Sequence, residues 1–292
     1  MKKKMTFLFC HRKLNLIKDF LTLLGVFWLL IEVTSFFWEW FNEFSNKNLG
    51  LFIFILILTL LIAVKINFPK KEISREFKNL NNTIVKIEIG ELLSKEGNII
   101  IGSSDFFDTT TNNTTSIKRQ IIDKFFNGAI QSLDSQIETS LNAQNIQGTQ
   151  VSINEKPVGK RIRYDIGETA NFSIPSNINI QVFISAICKI VYKGGVKTKE
   201  ADIKMLTEAL EKIWLTIRNN SNNKNIYIPI LGAGITGLNM SKTTICQLII
   251  VSFLINSKNN RIGKSLNIII PERNYDPEMF SNLEIFIKSF SI

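Results

Sequence analysis

Two long apolar runs in the first quarter of the chain constrain its fold more than any other feature. The first is Phe20–Trp38 (FLTLLGVFWLLIEVTSFFW) and the second is Leu49–Ile66 (LGLFIFILILTLLIAVKI). Each approaches the ~20 residues that span a ~30 Å hydrocarbon layer at about 1.5 Å per helical residue. Neither run shows the polar face of a soluble amphipathic helix, which argues against a buried core hairpin. The first run contains one acid, Glu32, and is followed by Trp38, Trp40 and Phe41, an interfacial aromatic belt.

Flanking charges orient the pair. Lys2, Lys3, Lys4, Arg12, Lys13 and Lys18 precede the first run, and Lys65, Lys70, Lys71, Arg75 and Lys78 end or follow the second. The loop between them holds Glu39, Glu43 and only Lys47. Positive residues stay inside, so both chain ends are expected in the cytoplasm at an inner membrane crossed twice. A cleaved signal peptide fits poorly: the first run is too long, no A-x-A site follows, and a second span comes directly after. Of the net charge of +10, residues 1–78 carry +6 (12 Lys/Arg against 6 Asp/Glu). That placement points to anionic lipid as the basic surface's partner, not nucleic acid.

Glu32 is costly in hydrocarbon. It either reaches the outer interface or faces other copies of the chain in a homo-oligomer, because two spans enclose little by themselves.

Cysteines and histidine exclude several chemistries. Cys10, Cys188 and Cys246 are far apart and odd in number, so no disulfide framework or zinc site is expected. The only histidine, His11, precedes the first apolar run, which excludes a Ser-His-Asp triad further along. No metal ligand set and no catalytic residue is assigned.

The remaining chain divides into a charged connector at 67–82, following the hairpin of residues 1–66, and an α/β domain at 83–292. Ile84–Ile89 and Asn98–Ile101 read as strands. Ser116 to about Leu141 reads as one amphipathic helix, with Ile117, Ile121, Phe125, Ala129, Leu133, Ile137 and Leu141 in helical register and Ser116 as N-cap. Arg161–Tyr192 is strand-rich and Thr198–Arg218 helical. Asn225–Ile230 is a strand, followed by a glycine loop, a helix from about Met240 to Leu254, a strand at Leu266–Ile270 and a helix from about Asp276 to Ile287. Strands alternating with helices predict a mixed sheet covered on both faces.

The sharpest motif is Pro229-Ile230-Leu231-Gly232-Ala233-Gly234-Ile235-Thr236-Gly237, between a strand and a helix. Such glycines let the backbone approach a ligand, and the following helix offers N–H groups to a phosphate. A Walker A loop needs Lys after its last glycine, and here Leu238 follows Gly237. The dinucleotide pattern G-x-G-x-x-G is matched by Gly232, Gly234 and Gly237, but the motif comes late in the domain and no acid ends a following strand about 20 residues on. A plain glycine-rich turn is the remaining alternative.

The order of motifs resembles the macro domain, an ADP-ribose-binding three-layer α/β/α fold with a mixed sheet. The stretch Ile84–Thr109 (IVKIEIGELLSKEGNIIIGSSDFFDT) looks like its strand, corner, strand and Asn-Ala-Ala-Asn segment. The loop Pro229–Gly237 looks like its Pro-x-x-Gly-x-Gly-x-x-Gly phosphate loop. With Arg163–Ala170 (RYDIGETA) and the two apolar runs, the full length resembles the two-span macro-domain effectors of Thoeris-type bacterial anti-phage systems.

That resemblance implies a receptor and not a catalyst. A TIR-domain enzyme consumes NAD and releases an ADP-ribose derivative such as an amino-acid conjugate; the macro domain binds it and the membrane part disrupts the inner membrane. The resemblance puts Glu91 at adenine, with Leu92 beside it at the ligand-binding corner, though Glu91 also suits a helix start. Ser103, Ser104 and Asp105 fall near the distal ribose, though Asp105 also reads as a turn residue. Gly232, Ala233, Gly234, Ile235, Thr236 and Gly237 fall at the diphosphate. Arg273 falls near the pocket mouth, or is a solvated loop residue; Arg163 is similarly open. Asp105 stands where hydrolytic relatives carry Asn, and TTTNNTT replaces their glycine-rich loop, so a membrane-tethered ADP-ribosyl hydrolase or a passive ADP-ribose reader is the alternative.

Overall fold

The computed structural model describes residues 13–37, 49–68, 70–110, 115–220, 223–232, 238–258 and 260–290. It separates into two compact units, residues 1–70 with 276–281 and residues 71–275 with 282–292.

In the first unit, α1 (Lys13–Phe37) and α2 (Leu49–Asn67) are long and apolar enough to cross a membrane by length and composition. They pair antiparallel. Leu16 and Ala63 are buried against each other with Phe20, Leu23 and Val64 around them. Asn67 Nδ2 donates to Asp19 Oδ2 at 2.8 Å, joining the start of α1 to the end of α2. Buried Thr59 satisfies its hydroxyl on the Ile55 carbonyl at 2.8 Å. The belt residues Trp38, Trp40 and Phe41, the loop charges Glu39, Glu43 and Lys47, and Lys2, Lys3, Lys4, Cys10, His11 and Arg12 lie outside the described residues.

The second unit is built on an eight-stranded mixed sheet. Its strands are β1 (Glu72–Phe77), β2 (Thr83–Ile89), β3 (Asn98–Ser104), β6 (Thr169–Ile174), β7 (Asn177–Lys193), β8 (Val196–Glu200), β9 (Ile226–Ile228) and β10 (Ser265–Ile270). A separate pair joins β4 (Thr149–Gln150) to β5 (Ile162–Arg163). The sheet order is β1-β2-β10-β9-β3-β7-β6, with β8 hairpinned onto the end of β7. Strands β2, β10, β9, β3 and β7 run parallel to one another; β1 and β6 flank them antiparallel.

Helices cover both faces. On one face α3 (Ile117–Phe125) and α4 (Ile130–Ala143) bury Ile121, Ile122, Leu133, Ile137 and Leu141 against Ile99, Ile101, Val182 and Ile184. On the other, α5 (Ile203–Asn220) packs on β7 and on α6 (Lys242–Ser257). There buried Trp214 meets Phe253 edge-on at 5.3 Å and donates its indole N–H to Ser252 Oγ at 2.8 Å. The last helix, α7 (Pro277–Ser289), ends where Arg75 of β1 donates to the Phe290 carbonyl at 2.7 Å.

Three local readings are corrected. Residues 72–77 lie inside the segment read as a connector, yet they alternate exposed and buried, with Ile73 and Phe77 inside, and form β1. The helix read over Ser116–Leu141 is two helices, broken where Asn127 (φ 50°) and Gly128 (φ 82°) turn left-handed. Residues 198–200, read as helical, belong to β8, because Gly194 and Gly195 (φ 57° and 80°) make the two-residue turn of a hairpin. Ser116 does cap α3: its side chain accepts from the Arg119 N–H.

Candidate functional site

The predicted site residues gather at one edge of the sheet, the carboxyl ends of its parallel strands. Glu91 and Leu92 follow β2, Ser103 and Ser104 end β3, Gly232 follows β9 and Arg273 follows β10. In open α/β sheets this is the edge where loops diverge and ligands bind. The corner after β2 is tied to its neighbour strand, since the Gly90 N–H donates to the Ile270 carbonyl at 3.0 Å.

The backbone is specialised along this edge. Gly232 has φ 78°, a conformation open to glycine at no steric cost, and so begins the glycine loop as its sequence suggests. Ala233, Gly234, Ile235, Thr236 and Gly237 lie outside the described residues. At Gly102 a Cβ would sit 2.3 Å from Ile187 Cδ1, so any larger residue there would have to push the Ile187 side chain aside. One residue on, the pairing shifts: Ser103 faces Ala186 but Ser104 faces Cys188. That bulge re-aims the end of β3, a device common beside binding sites.

Beyond the bulge the side chains separate into roles. Ser104 is 6% exposed and its Oγ has no hydrogen-bond partner among the described residues. Ser103 Oγ accepts from Lys118 Nζ at 3.1 Å, and Lys118 also donates to the Asp108 carbonyl. Burial, with Lys199 nearby, holds the Lys118 ammonium down at about 8. Nothing in the sequence marks Lys118, a lysine two residues into a helix.

Asp105 is the most enclosed of the predicted residues among those described, 1% exposed. Its Oδ1 accepts the Ile190 N–H at 3.0 Å and its Oδ2 accepts Arg163 Nε at 3.1 Å. Its carbonyl accepts the Tyr164 N–H at 2.7 Å. Burial pushes its carboxyl up, and the Ile190 N–H and Arg163 pull it back only in part. In this conformation Asp105 fastens the segment Arg163-Tyr164 to the end of β3 and turns no surface outward. Arg163, left open by the sequence, is its counter-ion, and it also pairs with Glu155 and lies over Phe106 at 4.9 Å.

A second carboxylate, Asp108, anchors the neighbouring loop. Lys156, fully buried, pairs with its Oδ1 at 3.0 Å and lies 4.6 Å above the Phe106 ring. Lys197 reaches Oδ2 at 3.5 Å. Elsewhere on the edge Glu91 and Arg273 are exposed, while Leu92 is buried. Glu91 makes no side-chain cap to the 3₁₀ turn that follows it.

Among the described residues no cluster of His, Cys, Asp or Glu is placed to hold a metal. Cys188 and Cys246 are buried free thiols; burial raises both, Cys246 to about 12.

The family model described as "Thoeris protein ThsA, Macro domain" matches residues 85–271. The fold is similar to the Oceanobacillus iheyensis macrodomain solved with ADP, at 11% identity and a TM-score of 0.50, over 76% of this chain and all of that one. It is also similar to a Trypanosoma brucei macrodomain solved with ADP-ribose, at 8% identity and a TM-score of 0.46, over 72% of this chain and 71% of that one. No curated protein matches the sequence.

Proposed function

The chain belongs to the Thoeris ThsA macro-domain family, and from that premise we propose that it is a membrane-anchored receptor for an ADP-ribose derivative. The observation that carries the reading is the convergence of the β2 corner, the bulged end of β3, the Gly232 turn and the Pro271–Arg273 loop on the carboxyl edge of the parallel strands. Such an edge offers backbone N–H groups to a diphosphate and walls to a base and a ribose.

In this reading Glu91 and Leu92 meet adenine, and Ser103 and Ser104 line the distal ribose. Gly232 to Gly237 cradle the diphosphate, and Arg273 closes the mouth. Asp105 acts behind the pocket wall, holding Arg163 and the end of β3. Its engagement by Arg163 and Ile190 favours a receptor over a hydrolase, since a catalytic or ribose-polarising group has to reach the ligand.

The signal is the product of a TIR-domain enzyme that consumes NAD, an ADP-ribose derivative such as an amino-acid conjugate. α1 and α2 cross the inner membrane with both chain ends in the cytoplasm, and ligand binding leads homo-oligomers of the chain to disrupt that membrane.

Calorimetric titration of the detergent-solubilised full chain with ADP-ribose, and with the product mixture of a TIR-domain NADase, tests the pocket. A Gly234→Glu variant should lose binding. Binding to neither ligand sinks the reading. Turnover of ADP-ribosylated protein by the full chain would replace the receptor with the hydrolase.

A further inference from the structure

The face of α1 turned away from α2 carries a carboxylate for which the described part of the hairpin supplies no partner. At about 100° per residue, Thr22, Gly25, Leu29, Glu32 and Phe36 form one stripe with 3-4-3-4 spacing. All five are exposed in the hairpin, Leu29 at 60% and Phe36 at 84%. The residues that meet α2, such as Leu16, Phe20 and Leu23, lie on the opposite side of the helix. Glu32 makes no ion pair or hydrogen bond among the described residues.

Its depth follows from the hairpin's own marker. Asp19 and Asn67 are joined near one end, and Glu32 lies 13 residues further along α1, about 20 Å at 1.5 Å per residue. It is five residues, about 8 Å, short of Phe37 at the helix end. The lysines within the two helices, Lys13, Lys18 and Lys65, are all near the Asp19–Asn67 end. Among the described residues of the hairpin no cation lies near the carboxylate.

On the reading that the two helices cross a bilayer, we infer that the stripe Thr22–Gly25–Leu29–Glu32–Phe36 is a self-association seam that closes copies of this chain around a shared, hydrated cluster of Glu32 carboxylates. The occupant of the seam is a second copy. A 3-4 repeat is the seam of a left-handed helix pair, in which identical helices in parallel register set like residue beside like. Gly25 admits the close approach such pairs need, since nothing lies within 4 Å of its missing Cβ. Water in the seam solvates the carboxylates, and the acidic cluster admits cations in preference to anions. The cost of a bare carboxylate in lipid exists with or without signal, so the seam is closed in the resting state.

The test uses the full chain with Cys10→Ser, reconstituted in phosphatidylethanolamine–phosphatidylglycerol vesicles without nucleotide. Leu29→Cys lies on the seam, and Leu30→Cys is exposed but about 100° away. Oxidation should cross-link copies through L29C at least fivefold more than through L30C. A charged, water-soluble methanethiosulfonate should modify L29C at least tenfold faster than L30C, and adding Glu32→Leu should remove that difference. Equal cross-linking at the two positions, or equal modification, in protein that resists alkaline carbonate extraction overturns the seam and leaves the membrane reading standing. Protein released by carbonate overturns the membrane reading, and the seam with it.

Discussion

Arg163 Nε lies 3.1 Å from Asp105 Oδ2, and this pair joins the Arg163-Tyr164 segment to the end of β3. Asp105 is buried while the Arg163 side chain is 31% exposed, so the two partners are not equivalent. Replacing Arg163 by Met leaves a buried carboxylate with the Ile190 N–H as its remaining side-chain partner. Loss of one member of a buried pair costs about 3–5 kcal/mol, and partial exposure of Arg163 brings the expected value to about 2 kcal/mol. Urea unfolding of R163M should show that loss, and Asp105→Asn in the same chain should recover part of it. An unchanged midpoint would mean that the pair is not formed in solution.

Lys118 gives the unit a pH signature. Its ammonium is held at about 8 in the fold against 10.5 when unfolded, so between these values the unfolded chain binds the extra proton. Stability therefore rises with pH from about 8 to about 10.5 by this group's contribution, and below pH 8 the cost of the buried charge is constant. Lys118→Met removes the cost. It should raise the urea midpoint at pH 7 and flatten the wild-type rise between pH 8 and 10. The same rise in K118M would assign it to other groups.

The constraint at Gly102 comes from the Ile187 side chain and not from its dihedral angles. Gly102→Ala should destabilise by about 1–3 kcal/mol, the range for overpacking a close contact. Ile187→Val removes the Cδ1 atom 2.3 Å from the new methyl group and should recover part of that loss in the double variant. A simply additive double variant would place the strain elsewhere.

Cys188 and Cys246 should be silent toward an aqueous thiol reagent in the native protein. Both are buried with raised thiol values, and the thiolate is the reactive form. In a Cys10→Ser background, mass spectrometry should find no adduct at pH 8 without denaturant and two adducts in strong guanidinium. A native adduct on Cys188 would show that the bulged end of β3 opens.

The features legible in the sequence were those set by local chemistry. Ser116 caps a helix because its hydroxyl meets a free N–H three residues on, a relation that spacing alone reveals. The two apolar helices and the alternation of strands with helices followed from hydropathy period. The family pattern likewise located the corner after β2 and the turn at Gly232. What stayed hidden depends on distant partners. Strand β1 carries polar residues at every position but Ile73 and Phe77 because it is an edge with one wet face, and a short polar run reads equally well as linker. Lys118 looks like any helical lysine until α3 sets it beside Ser103 and Asp108. Arg163 and Asp105 are 58 residues apart, and only the fold says that one answers the other. The break at Asn127-Gly128 was visible as a glycine, but the apolar period runs through it, and period was the wrong guide there.

The positions of β9 and β10 carry a consequence for biosynthesis. β2 and β3 are nearly consecutive in the chain, yet in the sheet they are separated by two strands drawn from residues 226–270. Until those residues leave the ribosome, β2 and β3 have no shared neighbour and no ligand edge exists. Long-range parallel pairing of this kind closes late. A chain stalled or truncated before Ile270 therefore already owns its apolar hairpin while it is still deaf to any nucleotide.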